Sequence, residues 1–248
     1  MAPTPVGAVL LTEARAVLAR AERAAETVRL AAQGAAGTLR VGFLTTVSHD
    51  LMPLVVRAFV EGWPGVELAT EDLAIAPLVD GVRSGRLDAA LSRPPLVDDL
   101  RAEPVAEEPV AAVLPAGHHL AGRDELELRD LAAEAWVLTP RDSWPPWHRR
   151  YDADFAAAGY RPRVAQRGTT PQALLALVAA GVGVTRLPLS SRSLRNDGVA
   201  FVPLAGERAL VVLLTLPDAV NPALGALREV VGELRAPAQG RRASGAAG

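Results

Sequence analysis

The sequence has 248 residues, is 50% hydrophobic and carries a formal net charge of −2. It therefore predicts a globular chain of one or two domains with no overall attraction for nucleic acid or an anionic membrane. The lack of cysteine excludes disulfides, a thiolate nucleophile and a cysteine-ligated metal, and the N-terminal residues do not match a secretory signal, so we expect a cytoplasmic protein that spans no membrane.

The first predicted element is a long helix from about Pro5 to about Gln33, with Thr4 placed to cap it and Pro5 at the first helical position. Its apolar positions step by alternating threes and fours, which is the spacing of a coiled-coil seam. This spacing favours association between chains, and the alternative is a helix that packs on its own domain. The predicted dimerisation residues are Leu11, Ala14, Leu18, Ala21, Ala25 and Val28.

From Thr38 onward, predicted strands and helices alternate, which is the pattern of βαβ units around a parallel sheet. The first set has strands near 38–44, 66–71 and 87–92, with helices near 48–62 and 75–84. The second set has strands at 111–115, 135–139, 163–167 and 183–188, with helices near 144–158 and 171–180. Two strands at 200–204 and 209–216 and a helix from about Asn221 to Leu234 close the chain. The Gly- and Ala-rich residues 236–248 are predicted to be a disordered tail.

A family resemblance is carried by six segments in a fixed order: "TPVGAVLLTEARAVLARAERA", "GTLRVGF", "LMPLVVRAFVEGWPGVEL", "VRSGRLDAALSRPP", "PAGHHLAGRDELELRDLAAEAWVL" and "LLALVAAGVGVTRLP". Their order and spacing resemble a LysR-type transcriptional regulator. Members of that family carry a winged helix-turn-helix domain upstream of a long linker helix. The resemblance thus implies a linker helix plus an effector-binding regulatory domain, without the DNA-binding module.

The resemblance also implies the fold. It is an α/β fold like that of the type II periplasmic binding proteins, in which two Rossmann-like subdomains flank a cleft, preceded here by the long N-terminal helix. The expected division is a linker and dimerisation helix at 1–37, subdomain I at 38–110 and 206–235, and subdomain II at 111–205.

Hydroxyl side chains follow the first predicted strand, where Thr45, Thr46 and Ser48 precede or open a helix. Ligands of open α/β sheets bind beyond the carboxyl ends of the strands, and helix N-termini attract anions. We therefore predict a ligand site at this edge. The alternative is that Ser48 simply caps the helix.

Further ligand candidates lie at the ends of other predicted strands. They are Arg93, Thr139, Arg141, Trp144, Trp147, Thr169 and Thr170. Arginine pairs with carboxylates and aromatic walls suit flat ligands, so an organic or aromatic acid fits this set. The alternative for both arginines is a surface ion pair, and the alternative for both tryptophans is packing or an interface.

Catalytic and metal motifs are not recognisable in the sequence. The four histidines show no metal-ligand spacing, and the adjacent His118 and His119 fall in a polar loop where we expect a solvated role. No GxSxG or dinucleotide fingerprint is present. The sequence predicts no catalysis, no metal and no cofactor.

The functional prediction is an effector-sensing module that binds a small, acidic metabolite in the cleft between the subdomains and thereby controls transcription. It is expected to form a homodimer or tetramer and to reach DNA only through a winged helix-turn-helix absent from this chain. Two alternatives stay open. One is a solute-binding protein of a transporter, and the other is a truncated partner that blocks full-length regulators.

Overall fold

The computed structural model describes residues 4–33, 37–94, 96–194 and 197–235. Its helices are α1 (Pro5–Gln33), α2 (Thr45–Gly62), α3 (Ile75–Ser84), α4 (Pro145–Ala157), α5 (Pro171–Ala179) and α6 (Leu224–Arg235). Its strands are β1 (Gly37–Leu44), β2 (Val66–Leu73), β3 (Ala89–Ser92), β4 (Arg101–Pro115), β5 (Ala135–Leu138), β6 (Arg163–Arg167), β7 (Thr185–Pro188) and β8 (Val199–Thr215). Short 3-10 helices cover Leu128–Leu131 and Leu189–Ser193.

The main sheet has six strands in the order β2-β1-β3-β8-β4-β7, and β5 pairs with β6 in a second, two-stranded sheet. Strands β2, β1 and β3 run parallel, which requires the crossover helices α2 and α3 between them. The second half of β1 and all of β3 are buried, as expected for the middle of a covered parallel sheet. The mixed α/β fold predicted from the sequence is confirmed.

Two long antiparallel strands, β4 and β8, connect the two sets of elements. The end of β8 pairs with β3, whereas the end of β4 pairs with β7. The β4–β8 register shifts between Pro104 and Ala106 and again between Pro109 and Ala111. Proline cannot donate to a ladder, so both prolines stand where the pairing is already interrupted.

The prediction was wrong for these two strands. Only 111–115 was expected of β4, because prolines and glutamates interrupt the apolar pattern of residues 101–110. Two strands were expected where β8 is continuous, because "AGER" has the composition of a turn. Gly206 instead takes a positive φ of 69° within the strand, a conformation that glycine adopts without steric cost.

Buried apolar side chains form three clusters. The first core combines side chains of β1, α2, α3, β3 and α6. The second and third cores draw on the chain between Val110 and Leu204. Two tryptophans cross this pattern. Trp144, from the segment after β5, is buried in the first core, and Trp147 packs against the same cluster.

Helix α1 lies against α3 through one face only. Thr4 caps it as predicted, its hydroxyl accepting the Gly7 N–H at 3.1 Å. Arg20 pairs with Asp218 at 3.3 Å, and Arg23 donates to the carbonyl of Gly85. The predicted seam points away from these contacts and its side chains are exposed, with Leu18 at 63% and Val28 at 70%.

Two predicted regions fall wholly or partly outside the described residues, namely the tail at 236–248 and, within the linker region 1–37, residues 1–3 and 34–36. Among the residues that the structure does describe, no helix combines the length and apolar character that crossing a bilayer requires.

Candidate functional site

The hydroxyl side chains after β1 lie in the first turn of α2 rather than in a loop before it. Helix α2 begins at Thr45, and Leu44 at the cap position makes no side-chain bond. The Asp72 carboxylate on β2 accepts hydrogen bonds from the Thr45 hydroxyl at 2.7 Å and the Ser48 hydroxyl at 2.9 Å. A carboxylate beside a helix N-terminus is favourable. The alternative that Ser48 caps the helix is therefore wrong, because Ser48 lies inside the helix and contacts Asp72.

Arg93 is the centre of a buried charged network at the same edge. Its side chain follows β3 and is only 9% exposed. The guanidinium donates to the Glu108 carboxylate at 2.5 Å and to both the hydroxyl and the carbonyl oxygen of Thr46 at 3.3 Å. Burial lowers the pKa of Arg93, and the negative charge of Glu108 opposes that shift. The arginine does form an ion pair, as the alternative had it, but the pair is buried rather than on the surface.

Glu108 joins this network to the segment after β7. Its carboxylate accepts the Ser190 N–H at 2.8 Å and the Ser190 hydroxyl at 3.0 Å, in addition to Arg93. Partial burial raises the pKa of nearby Asp50, the charge of Glu108 raises it further, and Arg93 opposes both. With Asp72 also present, carboxylates outnumber the one arginine at the α2 end of the edge.

The beginning of α2 approaches the N-terminus of α5 through one pair of side chains. The Nε2 atoms of His49 on α2 and Gln172 on α5 are 3.3 Å apart. The Thr170 hydroxyl caps α5 by accepting the Ala173 N–H at 3.1 Å, and Thr169 is exposed. The first turn of α5 contains no acidic residue. The first turn of α2 contains no acidic residue either, but Asp72 of β2 is hydrogen-bonded to its hydroxyl side chains.

The segment after β5 divides its predicted ligand residues between two environments. Arg141 forms a bidentate ion pair with Asp152 at 2.8 to 2.9 Å, and both side chains are at least half exposed. Arg141 therefore forms a surface ion pair, which was the alternative to a ligand contact. Trp144 is buried in the first core with Trp147 packed against that core, so the packing alternative describes both tryptophans.

His148 was not predicted to have a role and holds this segment in place. Its Nε2 lies 2.8 Å from the Pro140 carbonyl oxygen and 3.2 Å from the Thr139 hydroxyl. The residue is 5% exposed. Burial lowers the pKa of His148, whereas the hydrogen bond to Pro140 opposes the shift. No motif spacing identifies such a histidine, because its partners are backbone and a neighbouring hydroxyl.

A cavity of about 530 Å³ lies between α4 and the β5–β6 sheet. Arginines 141, 161 and 167 line it together with the aromatic rings of Tyr151, Phe155 and Tyr160. Of the predicted ligand residues, only Arg141 reaches this cavity. A second cavity of about 530 Å³ is more open and lies between the 128–131 helix, the end of α4 and residues 205–208.

Arg186 on β7 is a second buried arginine that the sequence prediction missed. Its side chain is 4% exposed and pairs with Asp154 at 2.6 Å and Glu207 at 2.9 Å. The guanidinium also stacks 4.3 Å from the centre of the Tyr151 ring. Burial alone would lower the pKa of Arg186, but Tyr151 and the two carboxylates raise it. The sequence does contain one indication of this buried arginine, because Arg186 lies inside the otherwise apolar predicted strand "GVTRLP".

The structure therefore brings some predicted residues together and separates others. Thr46 and Arg93 are in contact, and Thr45 and Ser48 share Asp72. Thr169 and Thr170 directly precede the start of α5, whose Gln172 contacts His49 on α2. Thr139 and Arg141 lie on the α4 side of the molecule, beside His148 and the arginine-lined cavity.

Comparison with protein-family models matches residues 32–236 to the LysR substrate binding domain. The chain is 26% identical over 199 residues to the HTH-type transcriptional regulator AlsR of Bacillus subtilis (strain 168), covering 80% of this chain and 66% of that one. It is 30% identical over 235 residues to the HTH-type transcriptional regulator IlvR of Caulobacter vibrioides, covering 93% of this chain and 79% of that one. The chain thus spans about two thirds of the length of the first relative.

Solved structures agree with this assignment. The LysR family transcriptional regulator CbnR superposes with a TM-score of 0.74 at 26% identity, covering 93% of this chain and 81% of CbnR. The effector binding domain of BenM, solved with its effector benzoate, superposes with a TM-score of 0.69 at 20% identity, covering 79% of this chain and 91% of that one. The second match shows a shared fold.

Proposed function

Because this chain belongs to the family of LysR-type transcriptional regulators, we propose that it is the effector-sensing region of such a regulator and binds a small acidic metabolite between its two subdomains. The division into subdomain I at 38–110 and 206–235 and subdomain II at 111–205 remains part of this proposal. The three cores support this division, because the first draws mainly on residues 38–110 and 206–235, and the second and third draw mainly on residues 111–205.

The observation that carries the proposal is the meeting of two helix N-termini, α2 and α5, at the His49–Gln172 contact. Each helix start offers backbone N–H groups and a partial positive charge of the kind that binds anions. The two helices lie on opposite sides of the proposed cleft. A ligand that contacts both therefore stabilises one arrangement of the subdomains, and a coupling free energy of about 1–3 kcal/mol is typical of allosteric control.

The charges within the cleft indicate where an acidic group would lie. On the α2 side, Asp72 already occupies the helix start, and Glu108 already neutralises Arg93. On the α5 side, the first turn carries no acidic residue and Thr169 is exposed. We therefore place the carboxylate of the effector at the start of α5, beside Thr169 and Thr170. The uncharged part of the effector would lie against Thr46 and His49.

Within this proposal the buried groups serve as support for the binding surface. Arg93 fixes the hydroxyl and carbonyl of Thr46, while Thr45 and Ser48 are held by Asp72. Trp144 and Trp147 connect the segment after β5 to the first core, so they would transmit closure of the cleft between the subdomains. Thr139 and Arg141 lie in that same segment, so they would move with it when the cleft closes.

Assembly and location complete the proposal. The exposed seam of α1 supports a homodimer or tetramer, with Leu11, Ala14, Leu18, Ala21, Ala25 and Val28 in the contact. DNA would be bound by a winged helix-turn-helix of the whole regulator, which acts in the cytoplasm. The relatives are regulators rather than enzymes, which is consistent with a chain that has no catalytic role.

A second location for an acid is the cavity beside α4. Its three arginines face one neutralising carboxylate, Asp152, and its aromatic rings suit a flat ligand. This cavity lies within the proposed subdomain II, so a ligand there would not contact α2. The two locations therefore make different predictions for the same set of variants.

The test is a thermal-unfolding screen against small carboxylates, aromatic acids, amino acids and sugars, followed by calorimetric titration of any compound that raises the midpoint. The wild-type chain is compared with Thr46→Val, Gln172→Ala and Arg161→Ala. Loss of binding in the first two variants and its retention in Arg161→Ala supports the cleft. Loss only in Arg161→Ala excludes the cleft and assigns the ligand to the cavity beside α4.

Light scattering at two protein concentrations tests the remaining alternatives. Association that is lost in Leu18→Glu supports a regulator that dimerises through α1. A strict monomer that binds a solute would instead favour the transport protein. A dimer that binds no compound of the panel would favour the truncated partner of full-length regulators.

A further inference from the structure

Two adjacent histidines and a glutamate converge beside the end of β4, away from the proposed effector cleft. They are His118 and His119, in the turn that follows β4, and Glu134, directly before β5. Within the described ranges, they form the one group of three metal-ligating side chains whose donor atoms all lie within 4.8 Å of one another. We propose that this group is a binding site for a divalent transition metal of the zinc class.

The geometry of the three side chains supports coordination of one ion. His118 Nε2 lies 3.3 Å from a carboxylate oxygen of Glu134. Ligand atoms around a tetrahedral zinc ion are about 3.4 Å apart when the bonds are about 2.0–2.2 Å long. The rings of His118 and His119 are 4.4 Å apart and inclined by only 33°, so their nitrogens can face the same point. Two ligands are therefore already in position, and rotation of the His119 ring supplies the third.

The backbone on both sides of the site is fixed. The His118 N–H donates to the Pro115 carbonyl at 2.9 Å, and the His118 carbonyl accepts the Ala121 N–H at 2.9 Å. The Glu134 N–H donates to the Leu131 carbonyl at 3.1 Å. The side chains of His118 and Glu134 are 13% and 23% exposed, whereas His119 is exposed. The site combines two preorganised ligands with one open side through which an ion can enter.

The donor set selects the class of metal. Two imidazoles and one carboxylate match the His₂Glu ligation of open zinc sites, which keep a water molecule in the fourth position. Imidazole donors suit zinc, nickel and copper, whereas magnesium and calcium require sites made of oxygen ligands. A carboxylate also offsets part of the charge of a divalent ion. The sequence predicted a solvated role for His118, but its side chain is largely buried against Glu134.

Proton positions set a condition for binding. The Leu120 N–H lies 3.3 Å from His118 Nδ1, so Nδ1 acts as the acceptor and Nε2 carries the proton that faces Glu134. Coordination through Nε2 moves this proton to Nδ1 and gives up the Leu120 contact. That contact is long for a hydrogen bond, so its loss costs little. The 3.3 Å contact between His118 Nε2 and the Glu134 carboxylate is thereby replaced by two bonds to the metal.

The position of the site indicates what metal binding would change. His118 and Glu134 stand at the two ends of the segment that connects β4 to β5. An ion bound between them closes this segment into a loop and ties the end of the long strand β4 to the two-stranded sheet. Because the three ligands converge only in the folded chain, the ion should bind that state more tightly and raise the midpoint of thermal unfolding as its concentration increases.

Calorimetric titration of the untagged chain with zinc chloride tests the proposal. The background is low, because the chain has no cysteine and only four histidines. We expect saturable binding of one zinc ion per chain. His119→Ala and Glu134→Gln should each weaken binding at least tenfold, since even the loss of an outer-shell partner costs 10–100-fold. The matched controls are His49→Ala and Glu125→Gln, an exposed glutamate in the same connecting segment, and both should bind zinc as the wild type does.

Two outcomes would overturn the proposal. One is wild-type binding no tighter than that of His119→Ala, and the other is binding lost in His49→Ala. His119 is exposed, so its replacement leaves the packing intact, and circular dichroism before titration confirms that each variant is folded. If Glu134→Gln does not fold, the comparison of His119→Ala with His49→Ala decides the question alone.

Discussion

Two arginine–carboxylate pairs of this molecule lie in opposite environments. The side chains of Arg93 and Glu108 are 9% and 22% exposed, and Glu108 has a further partner in Ser190. The side chains of Arg141 and Asp152 are 58% and 50% exposed. Water stabilises the separated charges of the second pair but not those of the first. The buried pair therefore belongs to the framework that joins β3, β4 and the segment after β7, whereas the exposed pair is free to rearrange.

The largest effect is expected from Glu108→Ala. Removing the carboxylate leaves the buried Arg93 without its charge partner, which typically costs about 3–5 kcal/mol. The matched control is Glu107→Ala at the neighbouring position. The Glu107 side chain is 53% exposed, and its ion pair with Arg208 is long, at 3.7 Å. That variant should change the free energy of unfolding by less than about 0.5 kcal/mol. Urea denaturation measures both, and equal effects would contradict the assignment of the buried pair to the framework.

This contrast also marks the limit of what the sequence predicts. The element types were predictable because helix and strand periods differ, and most predicted strands and helices coincide with observed ones. The partners of Glu108 were not, since Arg93 is 15 residues away and Ser190 is 82 residues away. The order of strands in the sheet, in which β8 lies between β3 and β4 and β4 pairs with β7, brings them together. The first part of β4 and the continuity of β8 were missed for the same reason, because pairing between these two strands overrides their unfavourable local composition.

A smaller effect is expected at an uncharged hydrogen bond in the cleft. Thr170 caps α5, and its replacement by alanine should lower the free energy of unfolding by about 1 kcal/mol. The adjacent Thr169 is exposed, so Thr169→Ala should change the stability by less than about 0.5 kcal/mol. The pair of variants separates capping from ligand contact. A ligand bound at the start of α5 is expected to lose affinity in Thr169→Ala even though that variant is as stable as the wild type.

The segment that carries Arg141 is held by the buried His148, and a pH series can measure how much this histidine stabilises the fold. Burial holds the pKa of His148 below its ordinary value of 6.5. As the pH falls through 6.5, the unfolded chain takes up a proton at this histidine before the folded chain does. His148 therefore contributes stability at neutral pH that is lost on acidification, and His148→Gln should show a shallower decline between pH 7 and pH 5. Identical declines in the two proteins would contradict the shift.

The smallest effect is expected at the exposed pair itself. Arg141→Ala and Asp152→Ala should each change the free energy of unfolding by at most about 1 kcal/mol, and the coupling in a double-mutant cycle should be about 0.2–1 kcal/mol. Salt screens such a pair, so the coupling should fall further at 1 M sodium chloride, where the Debye length is about 3 Å. A coupling as large as that expected for the buried pair would mean that Arg141 is fixed by Asp152 and cannot turn toward a ligand. A weak coupling leaves the guanidinium available to an anion in the adjoining cavity, because little free energy is lost when the pair with Asp152 breaks.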